Sequence, residues 1–458
     1  MGRKIKLTEG CVPPLAWVKL VGMADIRPFR GVHYNQSLVN DLASVICPPY
    51  DVINAEQRQE FYRRSEYNFV RLEFAQELPG DTSSDNKYNR AAATLEEWLK
   101  QGILEVDEDR AIYLHDHYFI HRGSQYKRRG IIARVRLEEW DKMVVRPHEG
   151  TMAEPKGDRL KLLWALQANI SPILVLYEDR AQQISTLLAI EERGKPMINV
   201  EGANGEVHRV WAITESEVIA KISNSLSGEP LYIADGHHRY ESALAYQCER
   251  RACLSSVSED EDFDFVMVNL LEFSDPGLII LPPHRLVRGL SKLTLDNLLS
   301  RLELLFEMQE LPLSMPSIWN RVDDLIARAN ETRLILFGLG VERLLVLKVR
   351  DLAALSQMMP DFHSELYKRL EVSIIDHVIL EKLLATDGQK VTLGYSYDRL
   401  EAVNKVLNAE YQLAFLIRSV KGEAIKAIAD VGDRMPRKST YFYPKAPAGV
   451  IFSLLTCP

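Results

Sequence analysis

The stretch Leu231-Tyr232-Ile233-Ala234-Asp235-Gly236-His237-His238-Arg239-Tyr240 decides how this chain reads. Four apolar, β-prone residues run into Asp235-Gly236, and a helix-like segment reaching about Cys253 follows with no linker. The pattern predicts a strand that ends at Ala234, a sharp turn, and a helix starting at His237. Asp235 is a favoured N-cap type, and Gly236 permits close approach to the backbone. The amides of His237, His238 and Arg239 are then first-turn donors at the positive end of a helix dipole, the arrangement by which a backbone holds phosphate. Arg239 adds a permanently charged fork suited to phosphate. The histidines add donors, metal ligands or a proton carrier near neutral pH. The plainer alternative is a capped helix with surface histidines. Two histidines and an arginine in one first turn are poor core residues, which favours the anion-binding reading.

Three further segments carry chemistry. Val145-Arg146-Pro147-His148-Glu149-Gly150-Thr151 reads as a strand end and a loop, with a helix starting at Pro155 or Asp158. A carboxylate beside an imidazole suits a general base or a divalent cation, so His148 and Glu149 are candidate catalytic residues. The alternative makes His148 a surface residue and Glu154 and Asp158 helix-start acids. Cys47-Pro48-Pro49-Tyr50-Asp51-Val52 is extended chain ending in a carboxylate, ahead of an Asn54…Gln57 capping box; Asp51 is a turn residue or a functional acid. In the segment from Arg434 to Lys445, Arg437, Lys438, Ser439 and Thr440 stand beside three aromatic residues. This suits a phosphate clamp with a stacking surface for a base, or equally a terminal strand with its aromatics in the core. Pro283-His284-Arg285-Leu286 repeats the His-Arg chemistry more weakly.

Between these segments strands and helices intermix. Helices are expected from Asn54 toward Arg64 and over 88–101, 159–168 and 237–253. Strands are expected over 111–120 and 130–137, joined across a polar 121–129 turn, and over 173–177, 264–272, 277–281, 333–338, 343–349 and 413–418, with a late strand stretch at 439–453. From about 290 the pattern is otherwise helix-rich. The fold class is mixed α/β or α+β, with a central strand-turn-helix unit between flanking α/β regions. The expected regions are 1–110, 111–289 and 290–458, either separate or one integrated domain.

The composition, 46% hydrophobic and 26% charged over 458 residues, suits a globular chain with sizeable cores. A net charge of −8 argues against a protein that coats nucleic acid. Cys11, Cys47, Cys248, Cys253 and Cys457 form no CxxC pair and no zinc spacing, which fits a reducing compartment. Glu9 and Pro13-Pro14 interrupt the basic start before signal-peptide length, and no run approaches the ~18 apolar residues of a membrane span. A cytoplasmic location is therefore expected. The acidic stretch 255–264 reads as a solvated loop. No Walker loop, GxGxxG, GxSxG or HExxH motif is present.

Ile26 to Gly31, Pro48 to Val52, His148 to Thr151, Asn169 to Pro172, Ala234 to Tyr240 and Met435 to Lys445, in this order, resemble the prokaryotic domain-of-unknown-function 1015 family over nearly the whole chain. That resemblance implies no established activity. The Asp235–Arg239 turn is also similar, over a short stretch only, to the phosphate-binding turn of the ParB/sulfiredoxin superfamily, which includes sulfiredoxin, nucleotide-hydrolysing ParB proteins and a free-serine kinase. The similarity implies nucleotide phosphates at this turn. Sulfiredoxin has its reactive cysteine where this chain has His237, and ParB proteins usually have Glu-Arg in place of His237-His238. The kinase branch is nearest around the turn.

The expected function is thus a nucleotide-dependent phosphotransferase or phosphohydrolase acting on a small hydroxylated metabolite. Asp235, Gly236, His237, His238 and Arg239, with Arg437, Lys438, Ser439 and Thr440, would hold the phosphates. Glu149 or Asp51 would take a proton, and His148 or an acid would help hold Mg²⁺ accompanying ADP or ATP. One alternative is a nucleotide-sensing or nucleic-acid-binding regulatory protein, although nucleic acid is not the expected partner. Another is a metal-dependent hydrolase with His148, Glu149, His237 and His238 as ligands.

Overall fold

The strand Phe265–Glu272 is apolar at nearly every position and buried on both faces, as befits the middle of a covered sheet. It runs parallel to Ile173–Tyr177 and antiparallel to Ser124–Arg136. The computed structural model describes residues 23–191, 194–202, 205–254, 258, 260–327, 331–384 and 391–455. The basic start, Cys11, Cys457 and part of the acidic 255–264 stretch lie outside the described residues. Among those described, a nine-stranded sheet has the order Val145–Pro147, Leu231–Asp235, Ile173–Tyr177, Phe265–Glu272, Ser124–Arg136, Ile112–His121, Val207–Ile213, Ile198–Glu201, with Ile26–Arg27 joining Ser124–Arg136. The architecture is mixed α/β.

Alternate residues of the strands feed different cores. Ile112, Leu114, Ile131, Val175, Ile233 and Val268 pack with Ile184, Leu188, Ile222 and Tyr240 from the helices on one side. Tyr113, Ile132 and Met267 face the N-terminal helices through Phe61, Leu95 and Trp98. Leu174, Tyr232, Ala234 and Leu271 meet Ile425, Ile428 and Phe442 from the C-terminal part of the chain.

A second sheet of six strands has the order Phe306–Pro312, Gly340–Val349, Arg333–Gly338, Leu413–Leu416, His284–Arg288, Thr392–Ser396. A smaller sheet pairs Leu104–Val106, Gly31–Tyr34, Phe452–Leu454 and Ala168–Asn169, so strands from all three expected regions share it. His284–Arg288 likewise belongs with strands beyond residue 290. No helix among the described residues is long and apolar enough to cross a membrane.

The expected 121–129 turn is much shorter. Arg122 and Gly123, both at positive φ, form a two-residue connection between Ile112–His121 and Ser124–Arg136. Lys127, Arg128 and Arg129 read as loop because they are charged, yet they sit within a strand. Arg129 forks onto the fully buried Asp116 at 2.8 and 2.7 Å, and Arg128 donates to buried His117 at 3.0 Å. The Asn54–Gln57 capping box is present at the start of the helix Ala55–Arg64. The helix expected from Pro155 or Asp158 begins earlier, as Ala153–Leu166, with Pro155 in its first turn where a missing N–H is harmless.

Candidate functional site

Leu231–Asp235 enters the sheet between Val145–Pro147, parallel, and Ile173–Tyr177, antiparallel. At its end Gly236 adopts φ +101°, and a Cβ there would sit 3.0 Å from the Arg239 guanidinium, so both backbone and space call for glycine. The helix His237–Cys253 begins at once. Gly236, not Asp235, is the N-cap, and no side chain caps the helix. The expected capping role of Asp235 fails because its carboxylate turns to two cations instead: Arg239 at 2.9 Å and the Lys445 ammonium. These partners hold Asp235 ionised well below the usual carboxylate range despite its burial. The first-turn amides therefore keep their capacity for an external acceptor. The Arg239 fork is less free than its sequence suggested, since its other end donates to the Pro172 carbonyl at 2.6 Å.

The turn opens onto a cavity of about 440 Å³. Asp51, Glu149, Asp235, Gly236, His237, His238, Arg239, Lys438 and Thr440 all line it, with Tyr50, Tyr397, Tyr441 and Lys445. Segments separated by nearly the full length of the chain thus share one wall. Asp51 lies in a one-turn 3₁₀ helix, Tyr50–Val52, anchored where the buried Glu73 accepts the Tyr50 amide at 3.2 Å.

The histidines take positions that sequence did not reveal. His148 is fully buried; Nδ1 donates to the Ile233 carbonyl at 2.7 Å, and Nε2 meets the Thr440 hydroxyl at 3.0 Å. Both ring nitrogens are occupied, so the expected roles of His148 as acid–base or Mg²⁺ ligand are replaced by a structural one, bracing the central strand against the C-terminal segment. Burial lowers its pKa to about 4. His237 Nε2 accepts the His148 amide at 3.3 Å, and His238 Nε2 accepts the Met152 amide at 3.0 Å. An amide can only donate, so each ring must present a lone pair there and be neutral. Burial pushes both pKa values down in agreement.

The loop carrying Glu149 consequently rides on two imidazole lone pairs, which makes it acid-sensitive. A histidine with a depressed folded pKa contributes stability that is complete above its unfolded value near 6.5 and is lost as pH falls toward the folded value. For His148 that window runs from 6.5 to about 4 and is worth about 3 kcal/mol. The melting temperature is expected to drop across this window. His238→Gln, which keeps an acceptor that does not titrate, is expected to flatten part of the drop; a pH series of melts on both proteins checks it.

Glu149 is gripped from the C-terminal segment. Its carboxylate accepts the Lys438 amide at 2.8 Å with the Ser439 amide beside it, while Met435 donates its amide to the His148 carbonyl at 2.7 Å. Burial raises its pKa, with those amides and the Lys438 charge opposing the rise. Ser439 is itself fully buried with its hydroxyl on the Pro436 carbonyl, and Arg437 points out to the Thr151 carbonyl at 3.3 Å. Neither side chain forms the cavity wall, so the expected phosphate contacts from these two do not arise. Their segment contributes backbone amides, Lys438 and Thr440 instead.

A family profile described as a protein of unknown function, DUF1015, matches residues 26–373. The chain belongs to the DUF1015 family. No curated protein matches it. Among solved structures, a free serine kinase variant in complex with AMP is 11% identical at TM-score 0.33, covering 68% of this chain and 86% of that one. A conserved hypothetical protein from Pyrococcus furiosus is 12% identical at TM-score 0.34, covering 71% and 95%. C-terminally truncated SbnI from Staphylococcus aureus is 11% identical at TM-score 0.33, covering 69% and 84%. Likeness this distant says nothing of what the DUF1015 chain binds.

Sequence reasoning missed the four other aromatic or charged wall residues of this DUF1015 protein, Tyr50, Tyr397, Tyr441 and Lys445. Tyr397 and Tyr441 stack with centroids 3.8 Å apart, and Lys445 Nζ lies 5.0 Å from the Tyr441 centroid. Tyr441 and Lys445 fall inside the Arg434–Lys445 segment, where the run of aromatics was the available signal. Tyr50 was part of the Pro-Pro-Tyr-Asp segment but was passed over for its neighbour. Tyr397 had no local signal, because its partner comes from a different sheet. The expected metal set of His148, Glu149, His237 and His238 does not form. The one three-ligand group among the described residues is His117, Glu206 and His208, on another part of the sheet. There Arg128 donates to His117 Nδ1 at 3.0 Å, which leaves the proton on Nε2 to be donated to Glu206 at 3.3 Å. This group satisfies itself as a hydrogen-bonded network.

Proposed function

We propose that this cavity holds the phosphate chain of a nucleotide and that the protein transfers a phosphoryl group to a small hydroxylated metabolite. The observation that carries the reading is the uncapped 17-residue helix, whose first turn opens onto a cavity also lined by Lys438, Lys445 and Glu149. Arg239 and Lys445 at the helix start are balanced by Asp235 and Asp51, so what favours an anion there is the helix dipole and its free first-turn amides. The Tyr397–Tyr441 pair supplies ring surface of the kind on which a base stacks. Glu149 takes the proton of the attacking hydroxyl: its raised pKa moves it toward the operating pH, where a general base works best. Lys438 and the helix amides stabilise charge on the transferred group.

Asp51 is an exposed carboxylate on the same wall, 3.8 Å from the Lys445 ammonium, and a hard oxygen donor of this kind fits Mg²⁺. It would hold the ion together with phosphate oxygens, and the ion supplies charge neutralisation at the transferred phosphoryl group. The test is phosphorus NMR of ATP or ADP with Mg²⁺, the protein and a pool of small hydroxylated metabolites. A new phosphomonoester resonance is the expected result. Nucleotide binding without turnover would turn the reading into nucleotide sensing, and neither binding nor turnover would end it.

A further inference from the structure

Arg285, on the strand His284–Arg288 of the six-stranded sheet, is fully buried and is the largest fully buried side chain among the described residues. A buried guanidinium is expensive unless its donors are used in a particular arrangement. Here Nη1 donates to the carbonyls of Pro283 and Lys438, each at 2.9 Å, and Nη2 to the carbonyl of Arg437 at 3.4 Å. Nε and Nη2 also reach Asp376 at 3.3 and 3.4 Å, from the π-helical stretch Ile374–Leu383.

The two C-terminal carbonyls belong to successive peptide units. The unit with the Arg437 carbonyl carries the Lys438 amide, and the unit with the Lys438 carbonyl carries the Ser439 amide. The first of these amides donates to the Glu149 carboxylate at 2.8 Å, and the second favours the ionised carboxylate from beside it. The first peptide thus takes a proton donor from Arg285 on one side and gives one to Glu149 on the other, and the second, also held by Arg285, turns its amide dipole toward the same carboxylate. A bond to a carbonyl polarises its peptide and strengthens the amide as a donor. Between them Lys438 sits at φ +57°, a left-handed conformation that a lysine adopts only when its surroundings hold it there.

We propose that Arg285 is a positioning residue for Glu149, reaching it through these two peptide units and thereby tying the six-stranded sheet to the cavity. The grip itself is independent of any ligand; its bearing on catalysis rests on the reading of Glu149 as proton acceptor. The charged and titratable groups facing Glu149 are Lys438, Asp235, and the phenols of Tyr395 and Tyr397 from the six-stranded sheet.

The experiment is a carbon-13 NMR titration of the Glu149 carboxyl in the full chain, assigned with Glu149→Gln and run without nucleotide. In Arg285→Met the midpoint is expected to rise by about one pH unit, as the carboxylate loses well-aligned, polarised donors. Arg285→Lys keeps the charge but not the planar fork, and its midpoint is expected to fall between the two. An unchanged midpoint in folded Arg285→Met overturns the proposal. If that variant does not fold, an unchanged midpoint in Arg285→Lys overturns it equally. A wild-type protein that binds no nucleotide would remove the phosphotransfer reading and leave this titration as informative as before.

Discussion

Glu149→Gln is expected to bind nucleotide within a few-fold of wild type while phosphoryl transfer falls by about 10²- to 10⁴-fold, the usual worth of a positioned general base. Glutamine matches glutamate in shape and keeps a carbonyl oxygen for the Lys438 amide, so the loop and the cavity should persist. What disappears is the capacity to take a proton. The pH profile gives a second check. Since burial raises the Glu149 pKa, the wild-type rate should climb with pH as the carboxylate ionises and then level off. The variant's residual rate should lack that limb. Steady-state rates and nucleotide affinity measured across pH 5–9 would expose a structural role for Glu149 if rate and affinity fell together.

Asp235→Asn is the second change with a large expected effect, on stability and binding at once. Asp235 is the shared anion of Arg239 and Lys445, and removing the acceptor from these partly buried cations costs about 1–3 kcal/mol, since the cavity they line still admits some solvent. A sizeable fall in melting temperature is expected, and nucleotide affinity should drop at least about tenfold as the turn loses its brace, a loss of ~1.4 kcal/mol. The pair should also be insensitive to mild acid. A carboxylate with a depressed folded pKa contributes stability above its unfolded value and loses it only as pH falls through the folded one. Acid losses between pH 6.5 and about 4 therefore trace largely to histidines such as His148, and should persist in Asp235→Asn.

The local grammar of the chain was readable, and its long-range pairings were not. Gly236 announced a turn that only glycine can make, and Asn54 with Gln57 announced a helix start; each depends on residues a few positions apart. Asp235 was misread as a cap because its actual partner, Lys445, lies 210 positions away. His148 looked like a reactive loop residue, whereas its partners at Ile233 and Thr440 make it a buried brace. Arg285 looked like a faint echo of Arg239; only the fold shows which carbonyls it meets. Lys127, Arg128 and Arg129 concealed half a strand because polarity stands for surface only when no buried acid or imidazole waits opposite. The four segments were singled out one by one, but that they line one cavity follows from the C-terminal strands returning to the first sheets.

The most direct measurement is the melting temperature of the wild-type protein with pyrophosphate, ADP, ATP or adenosine, each with and without Mg²⁺. A ligand that binds only the folded chain adds ~2.7 kcal/mol at a hundredfold excess over its dissociation constant. A rise with ADP, ATP and pyrophosphate, but little with adenosine, is the result expected of a phosphate site at the Gly236–Arg239 helix start. No rise with any phosphate-bearing ligand would contradict it.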